Sequence, residues 1–194
     1  MTRIFSKLIW NIPGSQSGIY LSFDDGPTPD VTPEVLKILN AYDAKATFFC
    51  LGKNVEKHPG LYNNILEAGH MTGNHTYSHL NGWKTSKTEY CNDVELASGY
   101  IKSSLFRPPY GKMKKQQFTQ LQEKYHIVLW DVLSGDYKQD QSPEKCLNNV
   151  LNYTKPGSIV VFHDSIKASR NLLYTLPRML ESFREKKYSF KTIA

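Results

Sequence analysis

Ile19-Tyr20-Leu21-Ser22-Phe23-Asp24-Asp25-Gly26-Pro27 is an alternating apolar run that ends in two adjacent carboxylates and a Gly-Pro turn. Alternation of this kind reads as a β-strand with a buried face. Adjacent side chains of an extended segment diverge, so Asp24 and Asp25 point in different directions. Gly26-Pro27 then turns the chain. One carboxylate can hold a cation while the other faces a water. The same four residues also suit an ordinary surface turn, but a buried strand in front of them weighs against that.

The pattern recurs outward from this stretch. Lys45–Phe49 reads as the next strand, and His70–Asn74 leads into His75-Thr76-Tyr77-Ser78-His79. Leu105-Phe106 runs into Arg107-Pro108-Pro109-Tyr110-Gly111. His126–Trp130 ends at Asp131, with Asp136-Tyr137 beyond, Ser158–Phe162 ends at His163-Asp164, and Tyr188–Ile193 closes as a strand. Helical patterns lie between them. Thr32 and Pro33 read as N-cap and first residue of a helix carrying Val35, Ile38, Leu39 and Tyr42. Leu61–Ala68 is stopped by Gly69. Tyr90, Val94, Ala97 and Ile101 share a face, Lys114–Lys124 follows, and Ser142-Pro143 opens another helix. Leu172–Lys186 contains Pro177 near its start or at a kink. Strands alternating with helices predict an α/β fold with a parallel sheet, and about seven such units fit the length. Polar clusters at strand C-terminal ends mark the active-site face of such a barrel.

The 194 residues suit one domain. Hydrophobic content of 40% and charged content of 22% exclude disorder over most of the chain. The net charge of +6 can attract an anionic polymer. The basic residues are spread out, however, apart from Lys112, Lys114 and Lys115, and no nucleic-acid-binding motif is present. No nucleic-acid partner is expected. Cys50, Cys91 and Cys146 lie far apart without a CxxC, which argues against a disulfide scaffold, and Cys50 is expected in the core. The apolar stretch within Met1–Trp10 is broken by Ser6 and Lys7 and is too short to span a membrane. It also lacks a small-residue cleavage site. Residues 1–16 are expected as an arm or first amphipathic turn and residues 17–194 as the catalytic domain. The protein is expected to be a monomer without a membrane span; no compartment is assigned.

His75 and His79, with one carboxylate, supply a His₂-carboxylate metal site that leaves positions open for water and substrate. His163, with an ordinary pKa near neutrality, suits a general acid. Arg107, stiffened by two following prolines, can orient a carboxylate. Asp164 is expected to be structural. Each feature alone is commonplace. All of them at strand ends make the inventory of a metal-assisted hydrolase.

These clusters resemble the NodB-homology polysaccharide deacetylases, carbohydrate esterase family four, collinearly from Ile19 to the C-terminus. Ser22–Pro27 matches Ser/Thr-Phe-Asp-Asp-Gly-Pro; His75, Thr76 and His79 match His-Ser/Thr-x-x-His; Arg107–Gly111 matches Arg-x-Pro-Tyr-Gly. The resemblance implies a single-domain, distorted (β/α)₇-type barrel. It implies Asp25, His75 and His79 as ligands of Zn²⁺, or of another divalent transition metal such as Co²⁺ or Ni²⁺. It implies Asp24 as general base held by Arg107, Tyr110 offering its backbone N–H to the oxyanion, and His163 as general acid oriented by Asp136. The implied reaction removes N-acetyl groups from N-acetylglucosamine-containing glycans, either peptidoglycan or chitin-like oligomers.

Two motifs depart from the family. The fourth ends Asp136-Tyr137 rather than Asp-Trp, and the fifth reads Val161-Phe162-His163 rather than Leu-x-His. In the family the Trp and Leu form an apolar slot for the acetyl methyl. Tyr137 and Phe162 are therefore expected to line a reshaped slot, and Trp83, beside Gly82, to stack on a sugar. The alternatives are a deacylase of another acylated sugar or non-peptide C–N bond, or a non-catalytic carbohydrate-binding protein on the same fold. Loss of Asp24, a ligand or His163 would favour the last, and all are present.

Overall fold

The computed structural model describes residues 8–193. In chain order the elements are β1 (Leu8–Ile9), β2 (Gly18–Asp24), α1 (Thr32–Ala41), β3 (Thr47–Cys50), α2 (Gly52–Lys57), α3 (Pro59–Glu67) and β4 (Met71–Asn74). They continue with α4 (Lys87–Ser98), β5 (Leu105–Phe106), α5 (Lys115–Leu121), β6 (His126–Val128), β7 (Val132–Leu133), α6 (Pro143–Tyr153), β8 (Ile159–His163), α7 (Ser169–Glu185) and β9 (Ser189–Lys191). The strands pair in parallel in the order β1-β6-β5-β4-β3-β2-β8-β7, with β9 also on β2.

This order forces the sheet to curl. β6 and β7 stand six steps apart in the order, about 29 Å across a flat sheet at ~4.8 Å per step. Only residues 129–131 join them, and so short a connection reaches no more than about 14 Å. The chain is thus a single α/β domain built on a curled, barrel-like parallel sheet.

Alternation along the strands separates two faces. Ile19, Leu21 and Phe23 of β2, Phe48 of β3 and Val160 and Phe162 of β8 point outward into the layer under α1, α3 and α7. There Phe23 stacks on Phe48 at 4.9 Å and lies 5.9 Å from Phe162. The other residues point inward. Tyr20, Phe49, Leu105, Val128, Ile159 and Ile193 fill the barrel interior, and Asp24 and His163 end the same inward rows at the C-terminal edge.

Local details differ from the sequence expectation in four places. Thr32 is the first helical residue of α1, Val31 is the cap, and the Thr32 hydroxyl bonds Asp164 instead. Pro177 lies inside α7 rather than at its start. The short helix α2 and strand β7 carry too few residues to show a period. Of the expected N-terminal arm, residues 1–7 lie outside the described residues, whereas Leu8–Ile9 pairs with β6 as part of the sheet. No helix among the described residues is long and apolar enough to cross a membrane.

Candidate metal and catalytic site

A cavity of about 540 Å³ opens at the C-terminal ends of the strands, lined by Asp24, Asp25, His75, His79, Tyr110, Trp130, Tyr137, Val161 and His163 among others. Residues from five separate sequence clusters meet there because β2, β4, β5, β6, β7 and β8 all end on that edge.

Asp25, His75 and His79 place their ligand atoms within 4.8 Å of one another. Asp25 Oδ1 is 3.1 Å from His79 Nε2 and 3.7 Å from His75 Nε2. The His75 tautomer follows from its partner. Nδ1 lies 2.7 Å from the Arg107 carbonyl oxygen, which only accepts, so Nδ1 carries the proton and Nε2 presents its lone pair. Burial holds His75 down at about 4, with the neighbouring His79 adding to the effect, so the imidazole is neutral at pH 7. The Tyr110 hydroxyl sits 3.1 Å from His79 Nδ1. Asp25 Oδ1 is buried without a hydrogen-bond partner. Burial raises this carboxyl, yet the imidazoles of His79, His75 and His163 hold it below the usual carboxylate range. An orphaned anionic oxygen facing two imidazole nitrogens fits a divalent metal of the borderline class.

The loop carrying both histidines is held from beneath. Asn74 Oδ1 accepts the Thr76 N–H at 2.8 Å, and the Thr76 hydroxyl accepts the His79 N–H at 2.9 Å. Asp93 on α4 accepts the N–H groups of Tyr77 and Ser78 at 2.9 and 3.0 Å, and the Ser78 hydroxyl at 2.6 Å. Asp164 does similar service after β2. It accepts the Gly26 N–H at 3.0 Å and the Thr32 hydroxyl at 2.6 Å. Burial, with Asp25 nearby, pushes it up to about 8. A Cβ on Gly26 would lie 2.0 Å from that carboxylate, so only glycine fits. Asp25, Thr76, His79 and Tyr110 all have φ between 62° and 80°. Left-handed backbone at non-glycine residues concentrates strain at this site.

Asp24 is buried beside the triad. Its Oδ1 receives Arg107 Nη1 at 2.7 Å, leaving Oδ2 free of that pairing. Arg107 is fully buried: Nη1 also reaches Ser22 Oγ at 2.9 Å, while Nε and Nη2 donate to the Val128 and Leu129 carbonyls. Its guanidinium lies 4.0 Å over the Phe49 ring. Across the cavity, His163 Nδ1 bonds Asp136 Oδ1 at 2.8 Å, and the His163 N–H bonds Asp136 Oδ2 at 2.7 Å. Burial lowers the His163 pKa, but Asp136, with help from Asp24 and Asp25, raises it to about 9. The imidazole is therefore protonated at neutral pH. The Asp136 loop is itself tied down by Asn171, whose Nδ2 donates to the carbonyls of Asp136, Lys138 and Gln141.

One expected substrate contact is corrected. Phe162 is fully buried in the outward layer and does not line the cavity; alternation assigns that place to its neighbour Val161, beside Trp130, Leu133 and Tyr137. Trp83 is 61% exposed and lies outside the lining, against Lys112, whose Nζ is 4.9 Å from the indole. Tyr137 does line the cavity, edge-on to His163 at 5.0 Å. Sequence reasoning missed Asp93, Asn171, Val161 and Leu133. Asp93, Asn171 and Leu133 carry no local mark of a site, whereas Val161 stands at the Leu position of the Leu-x-His pattern and was legible there.

The polysaccharide deacetylase family model matches residues 11–128. The chain is 34% identical over 193 residues to a peptidoglycan-N-acetylglucosamine deacetylase of Bacillus cereus, covering 95% of this chain and 90% of that one. It is 33% identical over 163 residues to a chitooligosaccharide deacetylase of Azorhizobium caulinodans, covering 79% and 76%. Among solved structures it resembles the Bc1960 peptidoglycan N-acetylglucosamine deacetylase in complex with 4-naphthalen-1-yl-N-oxidanyl-benzamide, at a TM-score of 0.89 and 32% identity over 96% of this chain and 91% of that one. Deacetylases of this kind are metal-dependent. With the motif residues gathered in one cavity and these matches spanning nearly its whole length, the chain belongs to the polysaccharide deacetylase family.

Proposed function

We propose that the protein hydrolyses the acetamido group of N-acetylglucosamine units in a glycan, peptidoglycan or a chitin-like oligomer, releasing acetate and a free amine. One observation carries the reading: a clamped carboxylate, Asp24, and a clamped imidazolium, His163, line the same cavity as the Asp25–His75–His79 triad. A base and an acid with opposite environments divide the proton transfers of amide hydrolysis between them.

Asp25, His75 and His79 would hold Zn²⁺. When bound, the ion supplies Lewis-acid polarisation of the carbonyl and acidifies the attacking water. Asp24, fixed by Arg107, takes the water proton at its free carboxylate oxygen. The Tyr110 N–H, in a loop stiffened by Pro108 and Pro109, donates to the developing oxyanion. His163 delivers its Nε2 proton to the departing amine nitrogen, and Asp136 keeps the ring protonated and aligned. Acid–base assistance of this kind contributes about 10²–10⁴-fold. Trp130, Leu133, Tyr137 and Val161 offer an apolar wall for the acetyl methyl and exclude water from it.

The test is acetate release from N-acetylated chito-oligosaccharides and from peptidoglycan fragments, after chelation and again after Zn²⁺ is restored, with Asp24→Asn alongside. Release that needs metal and is lost in the variant is expected. A folded, Zn²⁺-loaded protein that releases no acetate from either would overturn the proposal.

A further inference from the structure

We infer that Lys112 and Lys167 make this cavity selective for a glycan that carries carboxylates next to the N-acetylated sugar, over a neutral one. The inference rests on the deacetylase reading and narrows its substrate class.

Both ammonium groups belong to residues that line the cavity. Among the described residues neither lies within 4.0 Å of a carboxylate, whereas the site's other charges are matched. Asp24 pairs with Arg107 and Asp136 with His163. Asp25 faces the two ligand imidazoles, where a divalent cation more than neutralises it. The cavity is left with a surplus of positive charge. Such a concave surface concentrates anions.

Lys112 is distinctive within its basic run. Lys114 donates to the Thr85 carbonyl at 2.9 Å, and neither it nor Lys115 lines the cavity. Lys112 is half-buried, with its Nζ 4.9 Å from the Trp83 ring. An ammonium without a protein carboxylate within 4.0 Å is free to make a charge-assisted hydrogen bond to a substrate carboxylate.

The two lysines stand on different walls. Lys112 follows β5 and Lys167 follows β8, and β4, β3 and β2 lie between those strands. They therefore flank the reacting sugar and read its neighbours on either side. Chitin-like oligomers are neutral and gain nothing from this arrangement. Peptidoglycan bears carboxylates beside each N-acetylglucosamine, on the lactyl ether where no peptide is attached and on the stem peptide where one is, and gains on both sides.

The test compares one oligosaccharide, alternating N-acetylglucosamine with a lactyl-carboxylate sugar, against the same oligosaccharide with its carboxylates amidated. The reading is the ratio of kcat/KM for the acid to that for the amide. A ratio of about 10 at low ionic strength is expected, falling toward 1 at ~0.5 M NaCl. Lys112→Ala and Lys167→Ala should each reduce it about 2- to 5-fold. Lys112→Arg should keep it, and Lys112→Glu should push it below 1. A ratio near 1 in the unmodified protein, or one that the variants leave unmoved, overturns the inference. Titration calorimetry of the Zn²⁺-loaded protein with the same two oligosaccharides yields the matching ratio of Kd values. That ratio decides the charge question without turnover, so absence of acetate release from both compounds refutes only the deacetylase reading.

Discussion

Asp136→Asn keeps the shape of the side chain that grips His163 and removes its charge. In the unaltered protein His163 sits at about 9, because Asp136 at 2.8 Å, aided by Asp24 and Asp25, outweighs a burial that acts in the opposite direction. With an amide in that place, burial dominates and the imidazole should titrate at or below its ordinary ~6.5. At pH 8 a group at about 9 is about 90% protonated and one at ~6.5 about 3%, so the fraction able to protonate the leaving amine falls about 30-fold. Stability carries the same signature. The folded value lies above the unfolded one, so the favourable contribution is complete below pH ~6.5 and is lost as pH rises toward 9. The difference between about 9 and ~6.5 corresponds to about 3 kcal/mol. The assay is the pH profile of acetate release from pH 6 to 10, with an NMR titration of the His163 ring and urea unfolding at pH 6 and pH 9. The alkaline limb of the rate should move to lower pH in Asp136→Asn, and the pH dependence of its stability should flatten. An unmoved limb, or a His163 ring that titrates near 6.5 in the unaltered protein, would refute the reasoning.

Three further outcomes follow from the packing. Arg107→Ala strands the buried Asp24 carboxylate and should cost about 3–5 kcal/mol in urea unfolding; a loss below about 1 kcal/mol would show that water replaces the guanidinium. Asp93→Ala removes three hydrogen bonds from the loop between the two histidine ligands. It should lower Zn²⁺ affinity about 10- to 100-fold in a chelator competition while the circular dichroism is retained; unchanged affinity would mean the loop holds its shape without it. Phe162→Ala should cost about 3–5 kcal/mol of stability through the outward core with KM almost unchanged, whereas Val161→Phe should raise KM by narrowing the acetyl wall. Reversed effects would put Phe162, not Val161, at the substrate.

The alternation of strand and helix was legible because periods of two and of about 3.6 residues are written locally. The two histidines and a carboxylate pair were legible as a candidate metal set too, whereas the choice of Asp25 over Asp24 came from the family resemblance and not from local pattern. The α4 face at Tyr90, Val94 and Ala97 and the Ser142-Pro143 start of α6 emerged as read. What failed was the direction of one side chain. In the run Val161-Phe162-His163, alternation from a site-facing His163 already places Val161 on the same face and Phe162 on the other, so the expectation for Phe162 misread the local pattern. The pairing of β8 with β2, His163 opposite Asp24, agrees with Val161 inward and Phe162 outward.

The chain by itself determined the class of chemistry: which side chains can bind a cation, move a proton or hold a carboxylate is a property of residue type, and their place at strand ends follows from local patterning. Tertiary structure alone decided how those groups act. The left-handed backbone at Asp25, Thr76, His79 and Tyr110, the raised pKa of His163, the clamps from Asp93 and Asn171, and the two unmatched lysines all arise between residues distant in sequence. Burial, field and steric fit depend on what the fold brings within a few ångströms, and no local pattern encodes those distances.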